Sequence, residues 1–333
     1  MSLTVKWDSG VSVEYRGMRL VFDPRWKKNL RSRIFITHAH YDHSKGFSFS
    51  DFEKVSTEET KEIVAAYGKK INNWTPLPIG NKIKKDDLEV VSYNAGHVLG
   101  SSIFEVITPE GNIVYTGDLQ FKDSFTLKGA EPVPCDILVI ESTFGSKSFS
   151  FPEREKVAHE MVQWASNTVK TGKVPTFKAD TLGNAQEVNK AFNSYSKLPV
   201  IVHWKVGQIN RIYKANGQSL EFLEATTEEA SEVTCSGECI FITPKNNDLA
   251  HHPEFEPALV SGWALWTNRN KNAFALSDHA DFRQLIEFVE ACEPRTVLTC
   301  FGGKFNHVFA KHVEKRLKIE ARPLNLIPTI FAS

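Results

Sequence analysis

The hydrophobic positions follow two rhythms. In the first third, short apolar runs alternate with turn residues: MRLVF at 18–22, IFI at 34–36, LEVVSY at 88–93, SIFEVI at 102–107 and NIVYTG at 112–117, set apart by Gly17, Gly80, Gly100 and Gly111. These runs predict strands. One helix interrupts them, opened by a capping box of Ser56 and Glu59, striped by Ile63, Val64 and Tyr67, and stopped at Gly68. DILVIES at 136–142 is nearly all apolar and ends in a polar turn, which suits a buried strand that presents side chains at its carboxyl end.

From about residue 150 the period lengthens. Val157, Met161, Trp164 and Val169 are spaced as one helix face over 153–170, and AQEVNKAF at 185–192 is a second helix. KVPTFKA at 173–179 and LPVIVHW at 198–204 read as strands between helices, a pattern that predicts a parallel sheet in a domain of its own. The last part predicts a helix bearing Phe282, Leu285, Ile286 and Val289, a strand RTVLTCF at 295–301, and a helix bearing Phe305, Phe309, Val313 and Leu317. No stretch reads as a linker or a repeat, so an inserted domain fits better than two domains in tandem.

Composition narrows the class. With 333 residues, 41% of them hydrophobic, the chain can bury one large core or two. Forty basic residues balance forty acidic ones, so a polyanionic partner would have to be held by a local patch or by the active site. The first twenty residues contain no apolar signal segment, and no apolar run is long enough for a membrane span; a soluble, cytoplasmic protein with no membrane partner is expected. Five cysteines, an odd number, argue for a reducing compartment. CSGEC, with Cys235 and Cys239, has no second pair to complete a metal site and reads as free thiols beside a turn.

The chemistry concentrates in ITHAHYDH at 36–43, where His38, His40, Asp42 and His43 crowd into six residues behind an apolar run. Packing rarely asks for that many ionisable groups, whereas a borderline-soft divalent ion does. His38 and His40 leave the strand end on one side, and the following turn can bring Asp42 and His43 to a neighbouring point. His97 in NAGHVLGSS would supply the third protein ligand of a first ion. Asp118 in YTGDLQ would bridge to a second ion held by Asp42 and His43. Asp23 in LVFDP is placed to accept the spare N–H of a ligand imidazole, with an Asp-Pro turn as the plainer reading. Two ions about 3.5–4 Å apart would activate a shared water for attack on a phosphate.

The order LVFDP, THAHYDH, NAGHVLGSS, YTGDLQ resembles the metallo-β-lactamase superfamily. VIESTFG with Glu141, GNAQEV at 183–188, VSGWAL at 260–265 and LSDHAD at 276–281 with His279 resemble its β-CASP nuclease branch, which includes ribonuclease J, Artemis and the endonuclease subunit of the cleavage and polyadenylation specificity factor. The resemblance covers essentially the whole chain. It implies an α/β fold, an αββα sandwich formed by residues 1–150 and 291–333, with an α/β β-CASP domain inserted at 151–290 and the active site at the cleft between them. It implies two zinc ions, with manganese as the alternative, and hydrolysis of phosphodiester bonds in RNA or DNA. It also gives His279 the role of proton donor to the leaving oxygen, with Glu141 holding its other nitrogen; by itself LSDHAD reads more readily as a helix cap.

Two departures matter. RNA-processing members carry a last metal-binding histidine after a strand, where this chain has LTCFGGKFNH, with Cys300 and Phe301. A weaker second metal site follows, unless His307 reaches in, and Artemis shares the loss. Asn184 stands where many relatives have arginine. The compact members that this chain most resembles are exonucleases found with DNA ligases. The expected function is therefore a two-metal nuclease, an exonuclease in DNA repair or RNA processing, acting on single-stranded or end-containing nucleic acid alongside a DNA ligase or other repair and processing proteins. The rival readings are a metal-dependent hydrolase of a small ester or phosphodiester and an inactive nucleic-acid-binding scaffold. RWKKNLRSR at 25–33 reads as a phosphate-binding rim or a solvated turn, Gly302–Gly303 with Lys304 as a terminal-phosphate site or a structural turn, and Trp263 and Trp266 as base-stacking or packing residues.

Overall fold

The computed structural model of the chain describes residues 3–27, 30, 33–247, 252–266, 272–324 and 329–331. Two compact units are present, one of residues 1–123, 128–148 and 279–333, the other of residues 124–127 and 149–278. Along the chain the second unit interrupts the first.

In the first unit, β1 (Leu3–Asp8), β2 (Gly10–Tyr15), β3 (Met18–Phe22), β4 (Ile34–Phe35), β5 (Lys54–Ser56) and, after helix α1 (Glu58–Ala66), β6 (Trp74–Pro76) lie side by side in chain order. β1 to β3 form an antiparallel meander, and β3 to β6 run parallel. β7 (Lys82–Lys85), β8 (Leu88–Asn94), β9 (Ser102–Thr108), β10 (Gly111–Tyr115) and β11 (Ile137–Glu141) begin a second sheet. The cap of α1 is Thr57, whose side chain accepts from Thr60 N at 3.3 Å. This corrects the capping box expected at Ser56: Ser56 is still paired in β5, so the first free side chain that can cap the helix is the next one.

The second unit carries α2 (Arg154–Val169), β12 (Val174–Ala179), α3 (Asn184–Tyr195), β13 (Val200–Val202), α4 (Trp204–Ala215), β14 (Leu223–Glu224), α5 (Glu228–Ser236), β15 (Ile240–Pro244), β16 (Phe255–Val260) and β17 (Ala273–Phe274). Its sheet is parallel throughout, in the order β14-β13-β15-β12-β16-β17. Phe177, Val202 and Ile242 on one face pack with Met161 of α2 and Val188 of α3, while Val174, Ile201 and Phe241 on the other meet Ala230 of α5. The strand expected to run on to Trp204 stops at Val202, because the His203 side chain accepts from Lys205 N at 3.2 Å and starts α4. Helix α4 carries no clean apolar stripe in the sequence, since its buried face includes the polar Asn210, satisfied by Gln186 and Asn189 at 2.8 and 2.7 Å.

The chain then completes the first unit with α6 (Phe282–Cys292), β18 (Thr296–Cys300), α7 (Phe305–Leu317), β19 (Glu320–Pro323) and β20 (Thr329–Phe331). The second sheet is thereby ordered β19-β18-β11-β10-β9-β8-β7, and β20 pairs with β1 on the edge of the first. Strand alternation builds a sandwich. Ile137 and Val139 face inward among Val13, Phe35, Phe104 and Val106, while Leu138 and Ile140 face outward onto Leu285, Ile286, Phe309 and Val313 of α6 and α7. Among the described residues no helix is long and apolar enough to cross a membrane.

Candidate metal centre

Each predicted ligand sits where a strand of the sandwich ends. After β4 the chain leaves the sheet through Thr37 and His38. Backbone bonds from His43 N and Ser44 N to His40 O, at 3.1 and 2.9 Å, then fold it into a turn that returns His43 to the same point. His97 follows β8, its amide bonded to Ser101 Oγ at 3.1 Å. Asp118 follows β10, preceded by Gly117 at φ +57°, where a β carbon would lie 2.7 Å from Thr37 Oγ1. Only glycine lets the Asp118 loop close on the His38 loop.

The ligand atoms of His38, His40, His97 and Asp118 all lie within 4.8 Å of one another and could hold a metal ion. His97 Nε2 is 2.9 Å from His40 Nδ1, and Asp118 Oδ2 is 3.4 Å from His38 Nε2 and 3.8 Å from His97 Nε2. His43 Nε2 adjoins this group at 3.4 Å from Asp118 Oδ2, with Asp42 Oδ2 3.5 Å away on its other side. The donor set fits a divalent ion on a physical test: among the described residues His38 Nε2, His43 Nε2 and Asp118 Oδ1 are buried without a hydrogen-bond partner, an arrangement that is costly unless a cation completes it.

Electrostatics agree with the donor chemistry. Burial, helped by the neighbouring His43, His97 and His40, holds His38 well below the ordinary histidine range and keeps it neutral, as a ligand must be. Burial acts downward on His43 as well, but Asp118, Asp23 and Asp42 outweigh it and push His43 up to about 9. Burial raises Asp118 to about 6, a rise that the nearby His43 tempers.

Asp23 lies at the end of β3 with φ +47° and is fully buried. Its Oδ1 accepts from Thr37 N at 2.8 Å, and its Oδ2 accepts from Thr37 Oγ1 at 2.7 Å and from Tyr115 Oη at 2.8 Å and lies 2.7 Å from His43 Nδ1. Glu141 ends β11, also fully buried, with Oε1 accepting from Leu119 N at 2.9 Å and lying 2.9 Å from His279 Nδ1. The other His279 nitrogen, Nε2, is 3.9 Å from Asp118 Oδ2. Burial works against the Glu141 carboxylate, yet the His279 charge and hydrogen bond hold it below the usual range. The LSDHAD stretch also caps α6, through Asp281 accepting from Gln284 N at 2.9 Å.

The remaining sequence candidates disperse. His307 is exposed on α7, and Phe301 faces His43 with ring centroids 4.4 Å apart. The Gly302 N–H is taken by Asn306 Oδ1 at 2.8 Å, so that turn reads as structural. Of the basic run, Lys28, Asn29, Arg31 and Ser32 lie outside the described residues. Lys27 and Arg33 pair with Asp51 and Glu53, and Arg25 with Asp42. In the second unit Trp266 stacks on Phe149 at 4.4 Å and Trp263 meets it edge-on at 5.3 Å, and both are exposed. Asn184 is buried and bonds to Asp180 at 3.3 Å. Thr37 and Tyr115 join the site with no sequence signal beyond their place in the words ITHAH and YTGD.

No family model matches the chain. It is 28% identical over 302 residues to a protein from Opitutus terrae named "Probable DNA ligase", covering 86% of this chain and 28% of that one. It is 32% identical over 141 residues to "RNase aCSPSF2" of Saccharolobus solfataricus, covering 41% of this chain and 28% of that one. It is 27% identical over 182 residues to an "RNase J-like protein" of Methanocaldococcus jannaschii, covering 49% of this chain and 43% of that one. The chain thus spans less than half the length of these relatives. A crystal structure of a protein of unknown function from Enterococcus faecalis shares the fold, with a TM-score of 0.68 over 99% of this chain and 100% of that chain at 15% identity.

Proposed function

We propose a nucleic-acid function from the premise that the chain belongs to the metallo-β-lactamase superfamily, in its β-CASP branch, the family of its RNase J-like and RNase aCSPSF2 relatives. The protein is a metal-dependent nuclease that hydrolyses phosphodiester bonds. The observation that carries this reading is the convergence of His38, His40, His97 and Asp118 on one point, with His38 Nε2 and Asp118 Oδ1 buried and without a hydrogen-bond partner among the described residues. His38, His40, His97 and Asp118 would hold a first zinc ion, and Asp42, His43 and Asp118 a weaker second one. A bound divalent ion supplies Lewis-acid stabilisation of phosphate charge and a more acidic water.

The chain's own groups do the rest. Asp23 fixes the His43 ring so that Nε2 faces the cluster. Glu141 anchors His279 Nδ1, which leaves Nε2 on the side of Asp118, placed to pass a proton to the leaving oxygen as the phosphorus–oxygen bond breaks. The name of the Opitutus relative, of which the matched stretch is 28%, favours DNA ends in a repair setting with a ligase as functional partner, and the RNase names keep RNA in the test. The test is digestion of matched end-labelled single-stranded DNA and RNA with zinc or manganese, by wild type, Asp118→Ala and His279→Ala. Cleavage by wild type alone, or with His279→Ala slowed by about 10²–10⁴ as a general acid requires, supports the reading. Failure to cut either polymer with any metal transfers the site to a small ester or phosphodiester.

A further inference from the structure

The ring at position 301 is built in rather than merely tolerated. Phe301 has φ +58°, a region where a bulky side chain is an outlier and where strain tends to mark function. Its face stacks on His43 at 27° between planes, and the edge of Trp7 meets it at 5.3 Å. Gly302 pins the turn, since a β carbon there would lie 2.2 Å from the Ser142 carbonyl oxygen.

A cation completes this wall. The Arg25 guanidinium lies 5.0 Å from the Phe301 ring centroid and 5.7 Å from that of Trp7, so two aromatic surfaces hold it in place. Arg25 Nη2 is 3.5 Å from Asp42 Oδ2; the same oxygen is 3.5 Å from His43 Nε2, which is 3.4 Å from Asp118 Oδ2. A guanidinium therefore stands on the side of the cluster where phenylalanine withholds a ligand. Among the described residues Arg25 Nε is buried with no hydrogen-bond partner. A phosphate oxygen arriving there would satisfy that donor, and a planar guanidinium can present two N–H groups to two oxygens at once.

We propose that Arg25 is a phosphate-binding residue that takes up phosphate charge where the second ion is only weakly held, and that Phe301 both orients it and denies that weaker position a ligand, leaving one tightly held ion among His38, His40, His97 and Asp118. The inference rests on the nuclease reading for its ligand, a backbone phosphate, but its metal half stands separately.

The experiment uses the full chain, stripped with a chelator, reloaded with excess zinc, passed through gel filtration and analysed for retained metal. Binding of a fluorescent single-stranded phosphorothioate oligonucleotide to the loaded protein is then followed by anisotropy across a salt series, and thermal melting establishes that each variant folds. Wild type and Phe301→Leu are expected to retain about one ion per chain, and Phe301→His, which restores a ligand, about two. Arg25→Ala should keep the wild-type metal content, bind the oligonucleotide about tenfold more weakly, and show a salt dependence shallower by about 0.7, the share of one phosphate contact. Arg25→Lys should recover the salt dependence but only part of the affinity. Two equally retained ions in wild type, or oligonucleotide binding by Arg25→Ala indistinguishable from wild type, would overturn the proposal. Wild type that binds no oligonucleotide overturns the nuclease reading and the phosphate role together, whereas the metal content of Phe301→His against wild type decides the single-ion half regardless.

Discussion

Asp23 Oδ2 lies 2.7 Å from His43 Nδ1, and both side chains are completely buried. The same oxygen accepts from Thr37 and Tyr115, so one carboxylate ties together β3, the histidine loop and β10. Removing it strands several buried donors at once. Asp23→Ala should lower stability by about 2–4 kcal/mol in denaturant titrations, since each orphaned buried group costs about 1–3 kcal/mol and the losses overlap. It should weaken metal binding by roughly 10–100-fold in competition with a chromophoric chelator. Metal affinity equal to wild type in the folded variant would remove Asp23 from any role in holding His43.

Glu141 and His279 offer a separable test. Glu141→Gln can still bond to His279 Nδ1 but no longer stabilises a positive ring. Turnover should fall by roughly 10–100-fold with KM little altered, because a general acid contributes about 10²–10⁴ in all. A matching fall in substrate affinity with unchanged turnover would point to a binding role instead.

Metal removal should matter more as pH rises. Without an ion, His43 is raised from 6.5 to about 9 and Asp118 from 3.8 to about 6. A group whose folded-state pKa is raised stabilises the fold below its unfolded value and loses that contribution as pH climbs through the folded one. Asp118 has lost its share by about pH 6, His43 loses its own between 6.5 and about 9, and His38, shifted the other way, adds no slope above 6.5. The gap in melting temperature between zinc-loaded and chelated protein should therefore widen from pH 6.5 to 9. A gap that narrows across that window would contradict the burial of these groups around the site.

Thiol reactivity should divide sharply. Cys235 is exposed, while Cys135, Cys239, Cys292 and Cys300 are buried, and burial raises Cys239 to about 11 and Cys292 to about 12. A disulfide reagent should modify one thiol quickly in the native protein and the other four only on unfolding. Rapid reaction of several thiols in the folded state would mean that the β15 and β18 surroundings are open.

Local patterning determined much of this protein. Period-two runs such as SIFEVI and NIVYTG become β9 and β10 because alternate side chains meet different layers, and the stripe of Phe282, Leu285, Ile286 and Val289 becomes α6 against the outer face of β11. The words THAHYDH, GH and GD could be read as ligand-bearing turns because metal donors are of few types and cluster at strand ends. Where a segment buries a polar stripe, as α4 does with Asn210, or where caps compete, as Ser56 and Thr57 do, the pattern misleads by a few residues or goes silent.

Only the tertiary structure decided who meets whom across the sheets. Asp23 reaches Tyr115, 92 positions away, and Glu141 reaches His279, 138 positions away, since sheet order rather than sequence distance makes neighbours. The contact of Arg25 with Phe301 belongs to the same class. Nothing in the local spacing of either residue foretells it, because it depends on β3 and β18 lying in facing layers whose loops open on the same edge of the sandwich.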